Sequence, residues 1–205
     1  MASQLPPVPA PHNDFLPYLN RNPDRPLRDL VHPYKEFESH LRGVFAQDAS
    51  HPALQDPHIN AVPIFEGHED TLRIRARNPE IDANDDKYIM PLKPRGRRAD
   101  GSPAMVQSLR EFRDNFNLFS EQSLSDMNWD NVVAAGSAVV TALLPVSEKN
   151  RQSKRALREY YHQQLAPSSD VDLFLVGLDE ASAARKIAQI EECVRNSVCS
   201  CTRVS

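Results

Sequence analysis

Two short motifs in the second half of the chain combine residue types suited to phosphate and metal chemistry. Asp170 and Asp172 flank Val171 at the head of an apolar run, Leu173-Phe174-Leu175-Val176. In an extended strand residues two apart project to one face, so both carboxylates stand together while Val171 turns toward the core. Two adjacent anions repel unless a cation joins them, and hard oxygen ligands suit Mg²⁺. The alternative is a polar loop in which both aspartates are simply solvated. The second motif, Gly136-Ser137, separates the apolar runs Asn131–Ala135 and Ala138–Leu144. A glycine between a strand and a helix permits a sharp turn and leaves room for an anion to approach the backbone. The first N–H groups of that helix then offer donors and partial positive charge, to which Ser137 adds a hydroxyl. A Gly-Ser pair at such a turn is also common without any ligand.

The elements around these motifs follow from periodicity. Val106, Leu109, Phe112, Phe116 and Phe119 recur at three- and four-residue steps, which predicts an amphipathic helix over Pro103–Phe119. Asn131–Ala135 has strand length, and Ala138–Leu144 is a helical stretch stopped by Pro145. A hydrophilic segment follows, helical over Lys154–Tyr161. Ser168-Ser169 then opens a buried strand from Asp170 to Val176, ended by Gly177. Asp179 is placed to cap a last helix whose apolar face is Ala183, Ile187, Ile190 and Val194. Val198 to Ser205 reads as the beginning of another strand.

The first half is different in kind. Of the 17 prolines, 15 fall at or before Pro103. Residues 1–33 are expected to form an extended, disordered arm, because the Leu5–Pro11 run lacks donors and biases each preceding residue away from helix. Residues 34–102 are an irregular segment with a short helix at Lys35–Phe45 (Phe37, Leu41, Val44 and Phe45 on one face) and a short strand at Thr71–Arg75. The basic cluster Lys93–Arg98 is either a phosphate-contacting or nuclear-import patch or a solvated loop. Residues 103–205 form the globular part.

Composition narrows the function classes. The 205 residues are 40% hydrophobic and 25% charged, with a net charge of −4, which gives no global attraction to nucleic acid or anionic membrane. The longest apolar run, Val132–Leu144, is too short to span a bilayer, so no membrane role is expected. Cys193, Cys199 and Cys201 do not match paired zinc-ligand spacing and follow no secretory leader. Reduced thiols in an intracellular protein, cytoplasmic or nuclear, are the expectation.

Taken together, a strand, Gly136-Ser137, a helix, and a strand opening with Asp170-x-Asp172 resemble the nucleotidyltransferase superfamily of polymerase-beta-like enzymes, poly(A) polymerases and cyclic-dinucleotide synthases. More narrowly, Trp129–Ser137 and Ser169–Leu178 resemble a little-characterised branch found in large, mainly fungal proteins that also carry ankyrin repeats. The resemblance covers residues 100–205. It implies an α/β (α+β) fold with a mixed sheet and flanking helices, preceded by the Pro-rich arm. It also implies Mg²⁺-dependent nucleotidyl transfer from a nucleoside triphosphate to an acceptor such as RNA, protein or a nucleotide. Asp170 and Asp172 would be the catalytic metal ligands, and Gly136 and Ser137 would position the phosphates. Lys149, Arg151, Lys154, Arg155 and Arg158 would touch the acceptor or triphosphate, or else form a solvated helix face. Two departures stand out. The 32 residues between Ser137 and Asp170 make a longer insertion than the superfamily's usual one. After Glu192 the sequence has no Asp or Glu to serve as the third carboxylate. The expectation is therefore an incomplete sheet and an inactive chain, or a binding module that keeps the fold without the chemistry.

Overall fold

The computed structural model describes residues 5–65, 67–74, 98–165 and 170–201. The chain divides into two compact units, Met1–Pro103 and Ala104–Ser205.

The first unit is helical where the proline content predicts an extended arm. After irregular chain at 5–11, a 3₁₀ turn at His12–Asp14 leads into α1 (Phe15–Asn20), and α2 runs over Leu27–Gln47. Pro26 sits at the N-cap of α2, where no N–H is required, and Pro33 lies inside the helix. What holds α2 together is one buried stripe, Leu30, Tyr34, Leu41 and Val44. The Tyr34 hydroxyl donates to Ala10 O at 2.9 Å and accepts from Ala10 N at 3.2 Å, which ties down the proline-rich stretch. The rings of His12 and Phe15 meet Tyr34 edge-on. Phe45, assigned by sequence to the apolar face, is 64% exposed because it falls one position beyond that stripe. The Thr71–Arg75 strand reduces to one antiparallel bridge, Arg73 with Pro103, and Arg75 lies outside the described residues. Of the basic cluster only Arg98 is described, its guanidinium donating to Pro103 O.

The second unit is α+β, with a two-stranded antiparallel sheet packed by helices. Its elements are α3 (Leu109–Phe119), β1 (Val132–Ala135), α4 (Ser137–Leu143), α5 (Glu148–Arg151), α6 (Lys154–Glu159), β2 (Asp172–Leu175) and α7 (Glu180–Cys201). A π-helical turn, Tyr160–Leu165, continues α6. The first helix starts later than predicted because Ser108 caps it, accepting from Glu111 N at 3.1 Å, while Glu111 Oε2 accepts from Gln107 N. Val106 is buried without being helical, and its N–H donates to Leu143 O at 2.9 Å. Phe116, Phe119, Leu124, Met127, Val132, Ala138, Ala142, Val146 and Tyr161 form the core.

Asp179 does cap α7, its Oδ1 accepting from Ser182 N at 2.7 Å. Ile190, Cys193 and Val194 pack on the core, whereas Ile187 is half-exposed. The predicted terminal strand is absent over 198–201, where α7 continues to Cys201. Once a helix is formed each added residue gains a hydrogen bond without a new nucleation cost, so a short β-branched and cysteine-rich tail propagates it.

Candidate functional site

The two motifs meet because β1 and β2 pair antiparallel in the register Val132–Leu175, Val133–Phe174, Ala134–Leu173 and Ala135–Asp172. Asp172 is thereby opposite the last residue of β1, immediately before Gly136. Gly136 has φ +79° and ψ −159°, a backbone conformation that is essentially glycine's alone. A Cβ placed on it would lie 2.5 Å from Asp172 Oδ2 and 3.5 Å from Asp172 Cγ. The missing side chain thus leaves the space in which the Asp172 carboxylate lies against the turn. That carboxylate is exposed and makes no hydrogen bond or ion pair with any described residue.

From Gly136, which is the N-cap of α4, the chain enters the helix with Val140 N donating to Gly136 O at 3.3 Å. Ser137 is its first residue, and the N–H groups of this turn point back toward the glycine. Ala138, Thr141 and Ala142 of α4 are buried, so the turn stands on a packed base.

Asp170 falls just before β2 rather than within it, and Ser168-Ser169 lie outside the described residues. Burial still alternates from 170 to 176: Asp170, Asp172, Phe174 and Val176 are exposed, and Val171, Leu173 and Leu175 are half-buried against the core. The segment is therefore not the fully buried strand that its apolar content predicts. A sheet with only one covered face leaves alternate residues in solvent, here Phe174 (55% exposed) beside its cross-strand partner Val133 (50%). These two side chains form an apolar patch next to Asp172 on the same face. Strict alternation of exposed and core types through Asp-Val-Asp-Leu-Phe-Leu-Val was the signal for it, hidden by the apolar character of both sets.

Among the described residues no three His, Cys, Asp or Glu side chains are gathered closely enough to hold a metal. The basic residues of α5 and α6 separate into two groups. Arg158 pairs with Glu121 at 2.7 Å and Arg151 with Glu111, whereas Lys149, Lys154 and Arg155 have no partner among the described residues. Glu121 is held below the usual carboxylate range, chiefly by its hydrogen bond from Arg158. Cys193 is a free, half-buried thiol whose Sγ lies 3.7 Å from Ser123 O. Among the described residues no helix is long and apolar enough to cross a membrane. No family model, no curated protein and no solved structure matches the chain.

Proposed function

We propose that Gly136, Ser137, Asp170 and Asp172 form the nucleotide-and-metal face of a nucleotidyltransferase-type site that binds a nucleoside triphosphate with Mg²⁺. The observation that carries this reading is the Asp172 carboxylate lying against Gly136, at the spot a Cβ would fill. A glycine there brings an acidic side chain and a turn open to a phosphate into one place, which is the juxtaposition such chemistry needs. Asp172, with Asp170 on the same exposed side, would hold the Mg²⁺. The ion would neutralise phosphate charge and polarise the bond to the leaving group. Ser137 and the backbone of the turn would orient the phosphates.

A second reading, binding without transfer, is favoured by the ligand count. Two exposed carboxylates support metal-bridged nucleotide binding, while aligning and deprotonating an attacking hydroxyl ordinarily takes a more complete set of groups. The two readings share one test. Calorimetric titration of Mg²⁺–ATP and Mg²⁺–GTP into the protein should give weak, metal-dependent binding that Asp170→Asn with Asp172→Asn removes. A radiolabel assay run beside it separates transfer from binding alone. Equal metal-dependent binding by the double variant would sink both readings.

A further inference from the structure

The face of α2 that carries Tyr34 is covered by a segment of distinctive chemistry. Of residues 5–11, Pro6, Pro7, Pro9 and Pro11 lack a main-chain N–H, so Leu5, Val8 and Ala10 hold the donors of the stretch. Pro11 has φ −53° and ψ 151°, the polyproline II region, a conformation without internal hydrogen bonds. Leu5, Pro6, Val8 and Ala10 are half-buried, while Pro7, Pro9 and Pro11 are exposed. The stretch is therefore laid on the protein along one side, and Tyr34 anchors its main chain.

Tyr34 contacts one residue of that stretch twice. Its hydroxyl donates to Ala10 O at 2.9 Å and accepts from Ala10 N at 3.2 Å, a pair that a proline at position 10 could not complete. The tyrosine is only 7% exposed, and neighbouring rings hold it in place. Their centroids lie 4.6 Å away for Phe15, 5.2 Å for His12 and 6.1 Å for Tyr18. Phe37, three residues further along α2, extends the aromatic surface through a contact with His12 at 4.9 Å.

Aromatic rings beside a hydroxyl aimed at main-chain groups make a surface suited to proline-rich segments, which are preformed and lose little chain entropy on docking. None of residues 5–11 is fully buried, so the segment can leave without withdrawing a core side chain. We propose that this aromatic face of α2 is a binding site for proline-rich segments, occupied in the unbound chain by residues 5–11 and open to an equivalent segment of a partner protein. Specificity lies at the residue bonded by Tyr34, which sits between two prolines and must keep its N–H.

The probe is a fluorescein-labelled peptide copying residues 5–13, titrated by anisotropy with the full chain to about 1 mM, a range that detects submillimolar affinity. The resident segment competes at a millimolar effective concentration, so binding by the parent chain should be weak. Ala10→Pro in the chain keeps the polyproline conformation and deletes the N–H that Tyr34 bonds, which loosens the resident. The peptide should bind that variant roughly three- to tenfold more tightly, the range that one net hydrogen bond sets. Adding Tyr34→Phe to the variant should weaken binding by roughly threefold or more, and so should Ala10→Pro in the peptide itself. A second measurement needs no variant to fold. In the nitrogen-15-labelled parent chain, saturating unlabelled peptide should move the Ala10 amide resonance to its undocked position. No saturable binding by the Ala10→Pro chain, undiminished binding after Tyr34→Phe, or saturation that leaves the Ala10 amide unmoved would each overturn the proposal. A dimer of the parent chain that the peptide dissolves would assign the face to a second copy and overturn the partner assignment.

Discussion

Gly136→Ala is the most informative single change, because two separable costs fall on one residue. The first is conformational. At φ +79° and ψ −159° an alanine enters a region populated almost only by glycine, at a cost of about 1–3 kcal/mol. The second is steric. The new Cβ would meet Asp172 Oδ2 at 2.5 Å, but Cγ only at 3.5 Å and Cβ at 3.8 Å. Only the end of the side chain is in the way, so rotating the carboxylate relieves the clash for about 0.5–1.5 kcal/mol. The sum is a loss of roughly 1.5–4.5 kcal/mol. For a unit of about 100 residues a loss of about 2 kcal/mol lowers the melting temperature by roughly 10 °C.

Equilibrium urea unfolding separates the two costs. In an Asp172→Ala background Gly136→Ala should keep its conformational cost and lose its steric one, giving a coupling of about 0.5–1.5 kcal/mol. Gly43 is the internal control. It lies inside α2, and an added Cβ meets nothing within 4 Å. Gly43→Ala should therefore stabilise, by roughly 0.5–1 kcal/mol, since alanine loses less backbone entropy in a helix. An unchanged midpoint for Gly136→Ala would refute the argument about the turn. A full-sized loss with no coupling to Asp172 would refute only the placement of the carboxylate.

Two further changes test the packing around this site. Tyr161 is fully buried with no partner for its hydroxyl among the described residues, and burial raises its pKa to about 12. The unfolded chain ionises near pH 10, so the folded state holds the extra proton between pH 10 and 12, and stability is intact below that window and lost as pH rises through it. Tyr161→Phe should match or exceed the parent in melting temperature at pH 7, and should flatten the loss of stability measured above pH 10. Asp179 is exposed and its pKa is lowered, chiefly by the hydrogen bond from Ser182 N. Its contribution is present above the unfolded carboxylate pKa and is lost as pH falls through the depressed folded value. Asp179→Asn, which preserves the cap, should remove that acid-dependent portion of the melting curve, while Asp179→Ala should lower helicity at neutral pH as well.

The parts legible in the sequence are those governed by neighbours in the chain. Ser137 opening a helix, Asp179 capping one and the Phe112–Phe116–Phe119 stripe all rest on spacings of one to four residues. Of the N-terminal helices only the Lys35–Phe45 part of α2 was legible; α1 and the first turns of α2 were not, because local rules there point the wrong way. Pro33 removes a hydrogen bond inside α2, a cost of about 3 kcal/mol taken alone. Burial of Leu30 and Tyr34 on either side, at about 1.5–3 kcal/mol for a full apolar side chain, exceeds it.

The meeting of Gly136 with Asp172 lies between these extremes, and the reason is the strand register. The order of the motifs along the chain does not determine which residue of β2 faces Ala135. A slip of one residue would reverse the faces of β2, driving Asp170 and Asp172 toward the core and lifting Val171, Leu173 and Leu175 out of it. Burying unpaired carboxylates makes that arrangement prohibitive. A slip of two residues keeps the faces and is not excluded by hydrophobicity. It is excluded by Asn131, whose main-chain oxygen accepts from Val176 N at 3.0 Å while its Nδ2 donates to Val176 O at 3.0 Å. Asn131 makes this clamp in a left-handed conformation, φ +61°, which asparagine tolerates better than most residues. Gly177, also left-handed at φ +71°, turns the chain directly after the clamp, and a Cβ there would sit 3.5 Å from Asn131 Nδ2. Position 131 therefore decides, four residues before the strand ends, that the carboxylate of Asp172 comes to rest on Gly136.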